Sequence, residues 1–219
     1  MPYQNSPVMS SASIHNSHFL LRRLHSLFGL VPVGAFLMFH LWENSQSRFG
    51  AEHFNQEVVG WLQGLNYLIL LEIFVIALPL LFHAGYGLLV IGGSRPEPVR
   101  YPFMHNRLYL LQRISGVGVL LFLLLHVGWT RLYGIWEPAV RADMFGHMQA
   151  LLSNPVTLLI YVLGLLLAVF HLSYGIWSMA ISWGLTTTAA AQARLFRVAM
   201  ALALLLAAMG MQGVWGFLP

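Results

Sequence analysis

The sequence predicts an all-α fold, an integral membrane bundle of five transmembrane helices. Three observations lead there. The 219 residues are 58% hydrophobic and only 8% charged, whereas a soluble domain carries about a quarter charged residues. Five apolar runs each reach the roughly 20 residues that a spanning helix needs. The charged residues are gathered mainly in the short stretches between and beside those runs.

The runs are residues 24–43 (span 1), 64–92 (span 2), 107–134 (span 3), 155–184 (span 4) and 195–217 (span 5). Span 1 carries Pro32 and span 2 carries Pro79; a proline in a spanning helix is tolerated where neighbouring groups satisfy the carbonyl it frees. Spans 2 and 4 are long enough to tilt or to project beyond the hydrocarbon. Trp42, Trp61, Trp136, Trp183 and Trp215 fall near span ends, where amphipathic rings anchor at the interface. The connections, 44–63, 93–106, 135–154 and 185–194, read as short polar loops with no room for a soluble domain. The chain is therefore one transmembrane domain over 1–219, opened by a polar segment over 1–20. That segment lacks the apolar core of a signal peptide. Arg22–Arg23 does not make a twin-arginine signal, because the apolar run behind it continues long enough to span and has no A-x-A-like cleavage site.

Arginine placement sets the direction. Arg22, Arg23, Arg95, Arg100, Arg107, Arg113, Arg194 and Arg197 fall at one end of the bundle, and only Arg48, Arg131 and Arg141 at the other. The positive-inside rule puts the N-terminus in the cytoplasm and the C-terminus outside. The same distribution argues against nucleic acid as a partner despite the net charge of +4, because no basic stripe forms. With no cysteine in the chain, disulfides, a Cys nucleophile and thiolate ligation of iron–sulfur clusters are excluded.

Spans 1 to 4 each carry one histidine inside an apolar run: His40, His83, His126 and His171, spaced by 43, 43 and 45 residues. Alternate spans run in opposite directions, so depth follows from the rise per residue. His40 lies about 10 Å and His126 about 7 Å to the outer side of mid-span, while His83 lies about 7 Å and His171 about 3 Å to the inner side. Two imidazoles from different helices at one level are what a bis-histidine haem iron requires. The reading is two haem b groups, an inner one on His83 and His171 and an outer one on His40 and His126, about 14 Å apart along the membrane normal. A single intramembrane histidine is more often a helix–helix hydrogen-bond partner. A bare metal site would cluster its ligands at one level with carboxylates. A proton relay also uses buried ionisable groups. Neither of the last two explains pairing by depth.

Small residues fit the same scheme. Gly29 precedes His40, and Ser115 precedes His126, by 11 residues, which returns to within about 20° of the same helix face and places a small residue at the inner level. Gly85, Gly87 and Gly175 follow the inner ligands closely and serve either a bulky ligand or close helix packing. Glu72 is the acidic residue set within a span, 11 residues from His83. An intramembrane carboxylate is a functional candidate: it serves a quinone or its protons near the outer level, or bonds to a haem or to a neighbouring helix. Arg22, Arg23, His25, Ser26 and Arg113 gather at the inner ends of spans 1 and 3 and are candidate contacts to haem propionates, whose carboxylates suit arginine forks.

The stretches FLLRRLHSLFGLVPVGAFLMFHL, LEIFVIALPLLFHAGYGL, LLQRISGVGVLLFLLLHVGWTR and FHLSYGIWSMAISWGLTTT closely resemble the five-helix, two-haem cytochrome b558 membrane subunits of succinate dehydrogenase. The resemblance covers nearly all of 18–188 and is mainly one of hydropathy in span 5. It implies a membrane-anchor and electron-transfer subunit in a bacterial cytoplasmic membrane, with no succinate chemistry of its own. It implies a flavoprotein with FAD and an iron–sulfur protein at the cytoplasmic face, and electrons passing from the iron–sulfur clusters to the inner haem, the outer haem and then a quinone, usually menaquinone. It assigns His83 and His171 to the inner haem and His40 and His126 to the outer one. Related fumarate reductases carry a Glu two residues before the span 4 ligand; here Val169 stands there, which favours the succinate-oxidising direction. Alternatives are the cytochrome b subunit of another quinone-linked enzyme (fumarate reductase, hydrogenase or formate dehydrogenase), a histidine-relay transporter or proton channel, and an anchor without haem.

Overall fold

The computed structural model describes residues 11–93 and 103–219, with side chains from His18 onward. Arg95 and Arg100 lie outside the described residues. Every regular element among those described is helical, and five helices are long and apolar enough to cross a membrane: His18–Phe49, Leu68–Gly92, Met104–Trp136, Pro155–Ser182 and Ala189–Gly216. They match the five expected spans with shifted ends. Span 1 is longer than its apolar run because helical hydrogen bonding continues into the polar residues on both sides. The N-terminal helix starts at Ser11, within what reads from sequence as a polar segment.

The two prolines are absorbed differently. In span 1 the regular helix is interrupted by a single turn residue, Val31, immediately before Pro32, and Val31 still donates to the Leu27 carbonyl at 2.8 Å. In span 2 a π-helical turn, Glu72–Ala77, comes just before Pro79, and the Leu78 N–H reaches back five residues to the Ile73 carbonyl. Widening the ladder there places the missing proline N–H where the hydrogen-bond pattern is already changing. Span 3 has a second π turn near its end, Gly128–Leu132. Spans 4 and 5 start on side-chain caps: Asn154 accepts from the N–H groups of Val156 and Thr157, and Thr188 from that of Ala191. Gly184, at φ +74°, turns the chain after span 4 in a conformation that costs glycine little.

Span 4 is the centre of the bundle. It packs against spans 3 and 5, span 5 packs against span 1, and span 1 against span 2. Leu41, Leu165, Val169, Leu172 and Leu206 form its middle layer; Tyr174, Trp177 and Ala199 fill the arginine-rich end. Lipid is as apolar as these side chains, so close packing rather than water exclusion holds the helices together. A Cβ on Gly213 would stand 3.0 Å from the Asn44 backbone, and one on Gly216 2.5 Å from the Arg48 nitrogen. The end of span 5 therefore lies against the 44–48 backbone, and the Ser47 hydroxyl donates to the Gly213 carbonyl at 2.8 Å.

The connections at the far end, opposite the arginine-rich end, differ from the expected polar loops. Residues 46–63 and 133–152 are largely short helices, and Phe54, Phe145, Met148, Leu152 and Phe217 are buried together with Tyr161 of span 4. Their apolar residues are too sparse in sequence to read as spans, yet sufficient to cap the bundle. Asn55 ties the two connections: its amide donates to Asp143 at 2.8 Å, and its carbonyl oxygen accepts from the Phe145 N–H at 3.0 Å. Asp143 also accepts from the Gly146 N–H, and these two bonds hold its carboxyl below its ordinary pKa.

Candidate functional site

The four mid-span histidines meet in two pairs. The ring centroids of His83 and His171 are 6.1 Å apart, and those of His40 and His126 are 5.7 Å apart. An imidazole nitrogen sits about 2.0–2.1 Å from a metal it ligates, so two imidazoles on opposite sides of one ion have centroids about 6 Å apart. Both separations suit a metal held between the rings. Among the described residues, no group of three or more His, Asp or Glu side chains is placed to hold a bare metal ion.

In the inner pair, by the arginine-rich end, the ring nitrogens have divided roles. His83 Nδ1 is 2.8 Å from the His25 carbonyl, and His171 Nδ1 is 3.1 Å from the Gln112 carbonyl and 3.1 Å from the Ser115 hydroxyl. A carbonyl only accepts, so Nδ1 carries the proton in each and Nε2 keeps its lone pair. This is how metal-ligating histidines are oriented by the groups behind them. The His83 ring sits in a notch on span 1 between His25 and Gly29, one turn apart. His25 stacks on it at 4.1 Å and 4°, and a Cβ on Gly29 would come within 2.5 Å of His83 Nδ1. Ser115 is completely buried, and a Cβ on Gly116 would stand 2.9 Å from the His171 ring. Gly29 and Ser115 thus lie at the inner level, as their spacing implies, and what they accommodate is the imidazoles themselves. Gly87 faces His25, and Gly175 faces the Gln112 amide.

The far pair is built by stacking. Phe36 lies parallel to His40 at 5.3 Å and Phe122 to His126 at 5.5 Å, each one turn before its histidine. His126 Nδ1 faces the Tyr161 hydroxyl at 3.4 Å. The Asn44 amide donates to the His40 carbonyl at 2.8 Å and lies against its ring. Glu43, the last residue of span 1 as read from the sequence, is only 4% exposed; one of its oxygens is 3.9 Å from His40 Nδ1 and the other has no partner.

The candidate propionate contacts separate. Arg22 is exposed. The Arg23 guanidinium lies over the rings of Phe19 and Trp183 at 4.9 and 5.1 Å. Ser26 Oγ donates to the Arg23 carbonyl and accepts from Trp183 Nε1. Arg113 bonds the Tyr109 hydroxyl. Around the inner pair, His25 Nδ1, Arg113 Nε and Gln112 Oε1 are buried without partners. Buried polar atoms are nearly always paired, so two nitrogens left over beside a histidine pair suit a ligand that brings its own carboxylates. The residues present therefore fit haem: paired imidazoles, the inner two with free Nε2 lone pairs, small residues against the inner rings, and unpaired nitrogens at the inner edge.

Glu72 is not deep in its span. It stands four residues from the first residue of the helix Leu68–Gly92, and the π turn that begins with it takes it out of α-helical register with His83. Its two oxygens accept from Arg131 Nε and Nη2, each at 2.8 Å. Arg131 lies in the π turn of span 3, so a bidentate ion pair joins the two irregular turns. Of the roles open to Glu72 in the sequence, the bond to a neighbouring helix is the one visible here. Gln112, Tyr161 and Glu43 were not singled out by sequence reasoning. Each is one polar residue in an apolar run or at its end, and only the fold reveals which histidine it serves.

The family described as succinate dehydrogenase/fumarate reductase transmembrane subunit matches residues 103–210. The chain is 38% identical over 202 residues to the succinate dehydrogenase cytochrome b558 subunit of Bacillus subtilis (strain 168), an alignment covering 92% of this chain and 98% of that protein. Five apolar helices, a histidine on each of the first four, and this likeness along almost the whole length place the chain in the family of succinate dehydrogenase/fumarate reductase transmembrane subunits.

Proposed function

We propose that the chain is the two-haem anchor and electron-transfer subunit of a succinate:quinone oxidoreductase. The observation that carries this reading is the meeting of His83 with His171 and of His40 with His126. His83 and His171 would hold one haem b, and His40 and His126 the other. When bound, these groups supply reversible one-electron storage. The protein's part is to hold the imidazoles. The His25 and Gln112 carbonyls fix the inner rings through Nδ1, and Phe36 and Phe122 fix the outer ones by stacking. Arg113 and His25 supply nitrogens for propionates at the inner edge.

The arginine-rich end faces the cytoplasm under the positive-inside rule and receives the FAD-bearing flavoprotein and the iron–sulfur protein, where succinate is oxidised. Electrons then leave at the far level to a quinone, menaquinone by family resemblance. Each electron crossing the full membrane couples to about 2.3 kcal/mol per 100 mV, so the succinate reaction feels the membrane potential. Val169, buried at 2% exposure in the core, offers no carboxyl for a transmembrane proton path on span 4, in keeping with the succinate-oxidising direction. A cytochrome b subunit of another quinone-linked enzyme would call on the same pairs; a histidine relay has no use for two separate pairs, the inner one with Nδ1 bound to carbonyls.

The purified complex should contain two haem b groups per chain, with two midpoint potentials and succinate dehydrogenase activity in the same fraction. A chain that purifies without haem would sink the reading. The Glu72–Arg131 pair gives a separate expectation. Glu72→Gln and Arg131→Gln should each slow quinone reduction more than succinate-driven reduction of a soluble dye, and the double variant should be no worse than either single one. Additive losses would show that the two residues act apart; equal loss in both assays would make the pair purely structural.

A further inference from the structure

The π turn of span 3 changes more than the position of Arg131. Within it the Tyr133 N–H goes to the carbonyls of Gly128 and Thr130, bypassing that of Trp129. His147, on the helix Met144–Leu152, takes that carbonyl: Nε2 is 2.8 Å from the Trp129 oxygen. Nε2 therefore carries the proton, and Nδ1 keeps an uncommitted lone pair. The Tyr133 ring stands 5.7 Å from the His147 ring, tilted by 30°. Between the end of span 3 and this helix lies a groove of about 500 Å³, lined by Gly128, Trp129, Tyr133, Val140, His147 and Leu151 among others.

We propose that this groove is the quinone site, with His147 and Tyr133 as the polar partners of the quinone ring. The proposal rests on the reading above and deepens it. Three features favour the groove. It lies just beyond the outer histidine pair: Trp129 is one turn past His126 and belongs to the same packed cluster as Tyr161, which faces His126 Nδ1. Its walls are aromatic and aliphatic, with few polar groups, as small-molecule sites generally are. It also places a hydroxyl and an imidazole side by side at the far end, near water.

The chemistry requires that combination. Reduction adds two electrons to the ring and one proton to each carbonyl oxygen, giving the quinol. The electrons come from succinate oxidised on the partner chains. The protons come from water at the far side, and His147 Nδ1 is the chain's atom to accept one and pass it to the nearer oxygen, while the Tyr133 hydroxyl donates a hydrogen bond to that oxygen before transfer. Glu72 does not serve this role in the structure, since both its oxygens are bound to Arg131. A larger groove of about 750 Å³ at the end of span 5 is lined by Arg48, Leu205, Met209, Gln212 and Trp215 among others. Arg48 is its one charged group and has no proton to give at neutral pH, so that groove suits an apolar chain better than a reacting ring.

The test uses the intact haem-loaded complex and a menaquinone analogue bearing a photoreactive azide on a short tail. Illumination should label residues within 128–133 or 144–151. His147→Ala and Tyr133→Phe should each raise the KM for the short-tailed quinone about tenfold or more, while succinate still reduces both haems. Labelling confined to 68–77 or 205–216 would overturn the site and leave the two-haem reading intact. Unchanged quinone kinetics in both variants would do the same. A native complex that reduces its haems but passes no electrons to quinone would overturn both. If His147→Ala fails to assemble, Tyr133→Phe and the labelling of the native complex still decide the matter.

Discussion

Replacing His83 with alanine should leave a complex that binds one haem b per chain, the outer one, and no longer passes electrons from succinate to quinone. The imidazole of His83 is one of the two rings at the inner level, and its loss leaves His171 as the single imidazole that would hold a haem there. Nothing nearby replaces it. His25 is stacked face to face with His83, so its ring nitrogens are displaced sideways from the line toward His171. The outer pair is on other spans, His40 on span 1 and His126 on span 3, and both rings are held by their own Phe neighbours, so it should survive. The reduced-minus-oxidised α-band should fall to about half, a redox titration should show a single midpoint, and quinone reduction should fall at least a hundredfold. Dye reduction by the flavoprotein should persist if the anchor still docks it. Loss of the outer haem's signal with the inner one retained would refute the pairing of His83 with His171, whatever the effect on rate.

The pairing itself was legible because depth in a membrane is a one-dimensional quantity. A rise of about 1.5 Å per residue and alternating direction are enough to sort four histidines into two levels. The five spans were legible for the same reason: lipid demands long apolar helices. What depth does not give is azimuth wherever the helix departs from α geometry. Glu72 shows this. Eleven residues of α-helix would return it to the face of His83, but the π turn Glu72–Ala77 intervenes, and the carboxylate faces Arg131 instead. No simple sequence pattern announces a π turn, although Pro79 was a hint that the ladder would need to adjust. The far-end helices were missed because their apolar residues, such as Phe54 and Phe145, are spaced to bury one side only. His147 went with them. It lies in a stretch that reads as loop, and its importance depends on a carbonyl released by a distant irregular turn.

Gly29→Ala should reach the inner haem without touching a ligand. The added methyl would stand 2.5 Å from His83 Nδ1, closer than real side chains approach, so something has to move. The helix backbone of span 1 cannot yield easily, because overpacking a tight helix contact costs about 1–3 kcal/mol. The His83 ring is less free still. Its Nδ1 is bound to the His25 carbonyl and its face is covered by the His25 ring, one turn before Gly29 on the same helix. The methyl therefore pushes the imidazole out of its notch or separates span 1 from span 2, and either outcome moves the ring that would hold the inner haem. Inner haem occupancy should fall several-fold, or its midpoint potential and electron paramagnetic resonance signature should change, with the outer haem unaltered. Gly92→Ala is the matched control: it is on the same span as His83, and its added methyl meets nothing within 4 Å, so both haems should remain as in the native complex. Full inner-haem occupancy with an unchanged potential in Gly29→Ala would mean that His83 does not occupy this notch in the loaded protein. Loss of the outer haem instead would show that Gly29 makes room at the level of His40, the proposed ligand on its own helix.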